Sequence, residues 1–111
     1  MSPRLTQEVT LEARSQVPDG AGGFQSGWAA LGQLWAEMRA GPGRSASGPA
    51  VEVSLSRYQF VVRAAPVGDV QRPLAGQRFT MDGRVWNIEA VTELGTDGRY
   101  LTCHTTEEVT P

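Results

Sequence analysis

Asp82-Gly83 separates two short runs, Arg78-Phe79-Thr80-Met81 and Arg84-Val85-Trp86-Asn87-Ile88, and Asp97-Gly98 separates Ile88 to Leu94 from Arg99 to Thr105. Asp-Gly readily takes the tight turn whose twist matches that of two antiparallel strands. The pair of signals predicts a three-stranded meander over residues 78–106. Whatever surrounds it must control the meander's exposed edges, because unpaired strand edges invite association.

The rest of the chain carries the same period. Leu5, Val9, Leu11 and Ala13 fall on odd positions and Thr6, Glu8, Thr10 and Glu12 on even ones, the pattern of a half-buried strand. It runs into a turn or loop, Val17-Pro18-Asp19-Gly20-Ala21-Gly22-Gly23. Val51, Val53 and Leu55 alternate, then Tyr58, Phe60 and Val62 continue on the opposite parity, so a bulge or bend is expected near Ser56-Arg57. Pro66 and Pro73 bracket a connecting segment containing Gly68-Asp69, and the tail Glu107 to Pro111 is expected to fray.

Two segments resist this reading. In Gly27 to Ala40, Trp28, Leu31, Trp35 and Met38 follow helical spacing while Leu34, Ala36 and Met38 alternate as in a strand, and local propensity favours a helix. Residues 41–50 hold almost no bulky apolar side chain, too little buried area to offset the entropy of ordering, and read as a flexible loop. About six short strands with Gly-rich turns point to a small barrel or sandwich.

Composition limits the function. At 111 residues with 40% hydrophobic and 20% charged content, residues 1–111 are expected to form one domain with a modest core. Neighbouring subunits would add to its stability. A formal net charge of -2 argues against a protein devoted to gripping nucleic acid, and the basic residues are all Arg, which suits interfaces better than Lys. The first residues lack the apolar stretch of a signal peptide, and no apolar run is long enough to cross a membrane, so synthesis in the cytoplasm is expected.

Chemistry finds little support. Cys103 is the only cysteine, so it forms no intrachain disulfide. It adjoins His104, but adjacent strand residues point to opposite faces and do not converge on one atom. Asp82 and Asp97 are explained by their turns. The Gly20 to Gly23 cluster is not followed by the Gly-Lys-Ser/Thr start of a phosphate cradle, and the chain has no lysine. No catalytic residue, cofactor or metal is expected. Glu37, Arg63, Arg78 and Glu89 lie in expected strands and are candidates for pairing between subunits.

The ordered set of features resembles the phage head-tail joining (head-closure, or stopper) family over nearly the whole chain. The matching pieces are the strand at Leu5 to Leu11, the Asp19 to Gly23 turn, Trp28, the segment Leu34-Trp35-Ala36-Glu37-Met38, a Gly/Ser-rich loop, Phe60-Val61-Val62-Arg63, the hairpin from Arg78-Phe79 to Trp86-Asn87-Ile88, and Tyr100-Leu101-Thr102-Cys103. The fourth piece resembles the family's aromatic strand, which assigns Gly27 to Ala40 to β structure against its propensity. The chain departs from the family pattern at Trp86, where Tyr is common, and at Ala64-Ala65, where an aromatic often follows Arg63.

The resemblance implies a mainly β protein, a small antiparallel barrel of about six strands with one long flexible loop, and no enzymatic activity. It further implies a homo-oligomeric ring of six-fold symmetry, or of twelve copies, in the neck of a phage, prophage or gene-transfer particle. Portal and adaptor proteins would lie on its head side, a tail terminator on its tail side, and DNA in the channel. The candidate channel loop is Gly41, Pro42, Gly43, Arg44, Ser45, Ala46, Ser47 and Gly48, with Arg39 and Arg44 near the DNA. Trp28, Trp35, Arg63 and Trp86 are candidate interface or core anchors, with core packing favoured for Trp35 and Trp86. Two other readings stay open: a tail-completion or tail-terminator ring subunit, and a monomeric small-barrel module binding peptide or nucleic acid.

Overall fold

The computed structural model describes residues 3–41 and 57–108. Its strands are β1 (Gln7–Pro18), β2 (Phe24–Ala40), β3 (Arg57–Arg63), β4 (Arg78–Met81), β5 (Arg84–Leu94) and β6 (Tyr100–Glu107). They close into an antiparallel barrel in the order β1-β2-β3-β6-β5-β4. Two meanders, β1-β2-β3 and β4-β5-β6, are thus sealed edge to edge by the β3–β6 and β1–β4 ladders. Closure settles the choice between barrel and sandwich, and it satisfies backbone groups that an open meander would expose.

The inward positions follow the two-residue period. Val9 and Leu11 of β1, Ala36 of β2, Phe60 and Val62 of β3, Phe79 of β4, Trp86 and Ile88 of β5, and Leu101 and Cys103 of β6 form one buried cluster. Leu34 and Met38 pack against it. Phe60 is the hub of the aromatic packing: its ring centroid lies 5.0 Å from that of Phe79 and 5.2 Å from that of Trp86. Edge-to-face and tilted contacts of this kind add to the burial of large apolar surfaces.

The segment Gly27 to Ala40 is strand, because Leu34, Ala36 and Met38 are needed on the inner wall. That choice corrects the placement of Trp35. On the opposite parity its side chain points outward and the residue is 53% exposed, so it is not a core residue. Trp86 is fully buried.

The Asp82-Gly83 turn is as tight as expected, with Met81 paired to Arg84 and positive φ angles of 52° and 79° at the two central residues. The second turn differs. Leu94 pairs with Tyr100, leaving a five-residue loop, Gly95 to Arg99, around Asp97-Gly98. The tail also differs, since Glu107 belongs to β6 and Glu108 N–H donates to the Val85 carbonyl at 2.8 Å. The expected strand at Val51, Val53 and Leu55 and the bend at Ser56 lie outside the described residues.

β1 and β2 are longer than the barrel needs. Their register shifts between Leu11 and Glu12, where Leu31 of β2 is the extra residue, and Gly32 beside it has a φ of 152°. Such a bulge bends and twists the pair. Beyond it, the β1–β2 ladder continues to the Pro18–Phe24 pair, whereas β4 contacts β1 only from Thr10 to Glu12. The result is a two-stranded arm that extends past one end of the barrel.

Candidate functional site

Antiparallel order assigns each connection to an end of the barrel. The arm, the β3–β4 connection and the Gly95 to Arg99 loop share one end. The other end holds the Asp82-Gly83 turn, the C-terminal end of β6, and the point where the chain departs at Gly41 and returns at Arg57.

That point is a close approach. Gly41 N–H donates to the Arg57 carbonyl at 2.6 Å, and a Cβ on Gly41 would lie 2.6 Å from the same oxygen. Only glycine fits there. The remaining candidate channel residues, Pro42 to Gly48, lie outside the described residues, and Arg44 with them. Arg39 is described, and its guanidinium pairs with Glu37 on the outer wall of β2.

Beside this root stands a charged clasp. Arg84 Nε donates to Glu107 Oε2 at 2.7 Å and Arg84 Nη2 to Glu107 Oε1 at 3.0 Å, while Nη2 also reaches the Tyr58 hydroxyl at 3.3 Å. The guanidinium carbon lies 4.7 Å from the Trp86 ring centroid and 5.7 Å from that of Tyr58. The two-point bond to Arg84 holds the Glu107 carboxyl below its ordinary range. Trp86 Nε1 is buried with no hydrogen-bond partner among the described residues.

At the opposite end, two guanidinium groups lie over the Trp28 ring. The Arg78 carbon is 4.1 Å and the Arg14 carbon 5.2 Å from its ring centroid, and Arg78 Nε bonds Glu12 Oε1 at 2.7 Å. These contacts join the base of the arm to β4. The turn at the arm's tip is shaped by Asp19, whose Oδ1 accepts from Ala21 N–H at 2.8 Å and Gly23 N–H at 3.1 Å. Both bonds stabilise the ionised carboxylate and lower its pKa.

The expected pairing residues separate. Glu37 accepts from the Arg4 backbone N–H at 2.7 Å, and Arg78 is committed to Glu12, so both have partners within the chain. Arg63 is exposed at the end of β3 and shares with Leu5, Gln33, Leu34, Trp35 and Val62 a shallow concavity of about 270 Å³. Glu89 is exposed at the β5 bulge. Cys103 and His104 do point apart: the thiol is buried and its pKa pushed up to about 12, while the imidazole Nε2 sits 3.1 Å from the Thr92 hydroxyl. Among the described residues no group of three or more His, Cys, Asp or Glu side chains is placed to hold a metal ion.

Sequence reasoning missed the arm, the Arg84–Glu107 clasp and the apolar surface of the β3–β4 connection. The arm had one legible signal, because Arg14, Ser15 and Gln16 keep a strand-like stretch going without inward apolar residues.

A closed six-stranded barrel whose surface carries aromatic clamps, ion-pair clasps and a projecting hairpin has the equipment of an assembly subunit. Residues 1–108 match the phage head completion protein family, and the chain belongs to that family. It is a structural, non-catalytic protein of the connection between head and tail in tailed phages and phage-like particles. Among solved structures, a chain of the virion of a native gene transfer agent particle is 44% identical, with a TM-score of 0.75 over 97% of this chain and 98% of that one. A Shigella flexneri 2a protein solved in solution shares the fold at 21% identity, with a TM-score of 0.68 over 94% and 93% of the two chains. No curated protein is significantly similar.

Proposed function

We propose that the chain is the subunit of a homo-oligomeric ring that closes the filled head at the particle neck and offers a docking surface to the tail. The observation that carries this reading is the 44% identity, over nearly the full length of both chains, to a component of a gene transfer agent virion. Portal or adaptor proteins lie on its head side and a tail terminator on its tail side. The ring has six-fold symmetry or a multiple of it, and each copy meets its neighbours through two different surfaces, as a closed ring requires.

In this reading the action is steric, and the barrel end that carries Gly41, Arg57 and the Arg84–Glu107 clasp faces the ring axis. Cryo-electron microscopy of the particle neck is the test. A ring between portal and tail, retained on heads that have not received tails, is the expected result. Finding the chain only on free tails would move it to the tail-completion role, and its absence from purified particles would overturn both.

A further inference from the structure

The arm's tip exposes a large apolar side chain on each face. Directly paired residues share a face of a two-stranded ribbon, so Val17, beside Gln25, occupies one face and the Pro18–Phe24 pair the other. Val17 is 58% and Phe24 66% exposed. A tip with apolar side chains projecting from both faces fits a cleft better than a flat surface.

The same molecule offers one. At the arm's base, Ala13 and Leu31 face the β3–β4 connection across a concavity of about 360 Å³, lined also by Val67, Val70, Leu74 and Arg72. Val67 is 86%, Val70 65% and Leu74 56% exposed. Three neighbouring aliphatic side chains this open to water mark a contact surface.

The tip cannot reach its own cleft. Seven residues separate Phe24 from Leu31 along a paired strand, roughly 20 Å at the usual rise per residue. The charges match as well. Asp19 places an ionised carboxylate at the tip. On the cleft's rim Arg72 donates from Nη1 to the Ala65 carbonyl, and among the described residues it has no carboxylate partner. Asp69, the rim's acidic group, turns its Oδ1 to the Gln71 N–H at 2.8 Å.

We propose that the arm tip of one copy, Val17 with Phe24, inserts into the Val67–Val70–Leu74 cleft of the next copy, with Asp19 beside the neighbour's Arg72. A projection and a complementary recess on different parts of one chain form a head-to-tail contact, and repetition of that contact closes a ring. This rests on the ring reading above and names the surfaces that build the ring.

The test is a cysteine pair, Phe24→Cys with Val70→Cys, carried as the sole copy in assembled particles and treated with a mild oxidant. Both positions are exposed, so the barrel tolerates them, and Cys103 is buried and stays out of the reaction. The expected result is a reducible ladder of covalent oligomers of this chain, absent for either single substitution. A disulfide within one chain is excluded, since bridged Cα atoms lie within about 7 Å. A double variant that enters particles but stays monomeric, or cross-links to a different protein, overturns the inference and leaves the neck assignment standing. Absence of the wild-type chain from particles overturns the neck assignment instead.

Discussion

Arg84, the first residue of β5, grips Glu107, the last residue of β6, through two parallel hydrogen bonds of 2.7 and 3.0 Å. The clasp ties the end of the sixth strand to the barrel wall beside Trp86 and Tyr58.

Because the pair lowers the pKa of Glu107 beneath the ordinary glutamate value of 4.5, the stabilisation is fully present above that value. It is lost as pH falls through the depressed value, where the carboxyl takes up a proton. Glu107→Gln is therefore expected to melt at a lower temperature than the wild type at pH 7, with the gap narrowing as the pH falls below 4.5. Thermal unfolding at a series of acidic pH values measures this; a gap that does not narrow would show that the charge of Glu107 is not what matters.

Trp86 and Trp35 are expected to respond in opposite ways to truncation. Trp86→Ala empties the middle of the aromatic cluster and should cost about 3–5 kcal/mol, a large part of the stability of a small domain. Trp35→Ala, on the outer wall, should change stability by about 0.5 kcal/mol or less. Urea unfolding of the two variants, compared at equal slope, distinguishes them.

Gly41→Ala should weaken the root of the connection between β2 and β3. The added Cβ would meet the Arg57 backbone oxygen at 2.6 Å, and a backbone atom cannot swing aside as a side chain can. Overpacking of this kind costs about 1–3 kcal/mol. Equilibrium denaturation gives the magnitude, and slowed amide exchange at Gly41 in the wild type relative to the variant would locate it.

Removing Arg78 should loosen the arm without opening the barrel. The side chain both stacks on Trp28 and bonds Glu12, and a partly buried cation over an aromatic ring contributes about 1–2 kcal/mol. Hydrogen exchange of Arg78→Ala should show faster exchange in residues 13–17 and 24–30, with protection of β3 and β6 unchanged. Faster exchange throughout would mean that the arm and barrel open as one unit.

Period-two alternation made most of the barrel legible. Val9 and Leu11, and Phe60 and Val62, were readable as inward because each strand has only two faces. The same rule placed Cys103 and His104 apart and, once Gly27 to Ala40 is taken as strand, requires Trp35 to point outward. Judging Trp35 by the general tendency of tryptophan to be buried, when its neighbours Leu34 and Ala36 already filled the inner face, led to the opposite expectation. Asp82-Gly83 declared its turn because the two residues alone satisfy its φ angles. Asp97-Gly98 did not, because the length of that loop is decided by where Leu94 and Tyr100 pair.

By itself, then, the sequence determined most of the strands and their facing, and the family, since these depend on neighbours one or two residues apart and on the order of motifs along the chain. Only the tertiary structure decided that the two meanders close on each other through β3–β6 and β1–β4, that the β1–β2 ladder outruns the barrel as an arm, and that Arg84 meets Glu107. Those facts depend on which strands become neighbours across the barrel, and contacts between residues 23 to 66 positions apart leave no trace in local spacing.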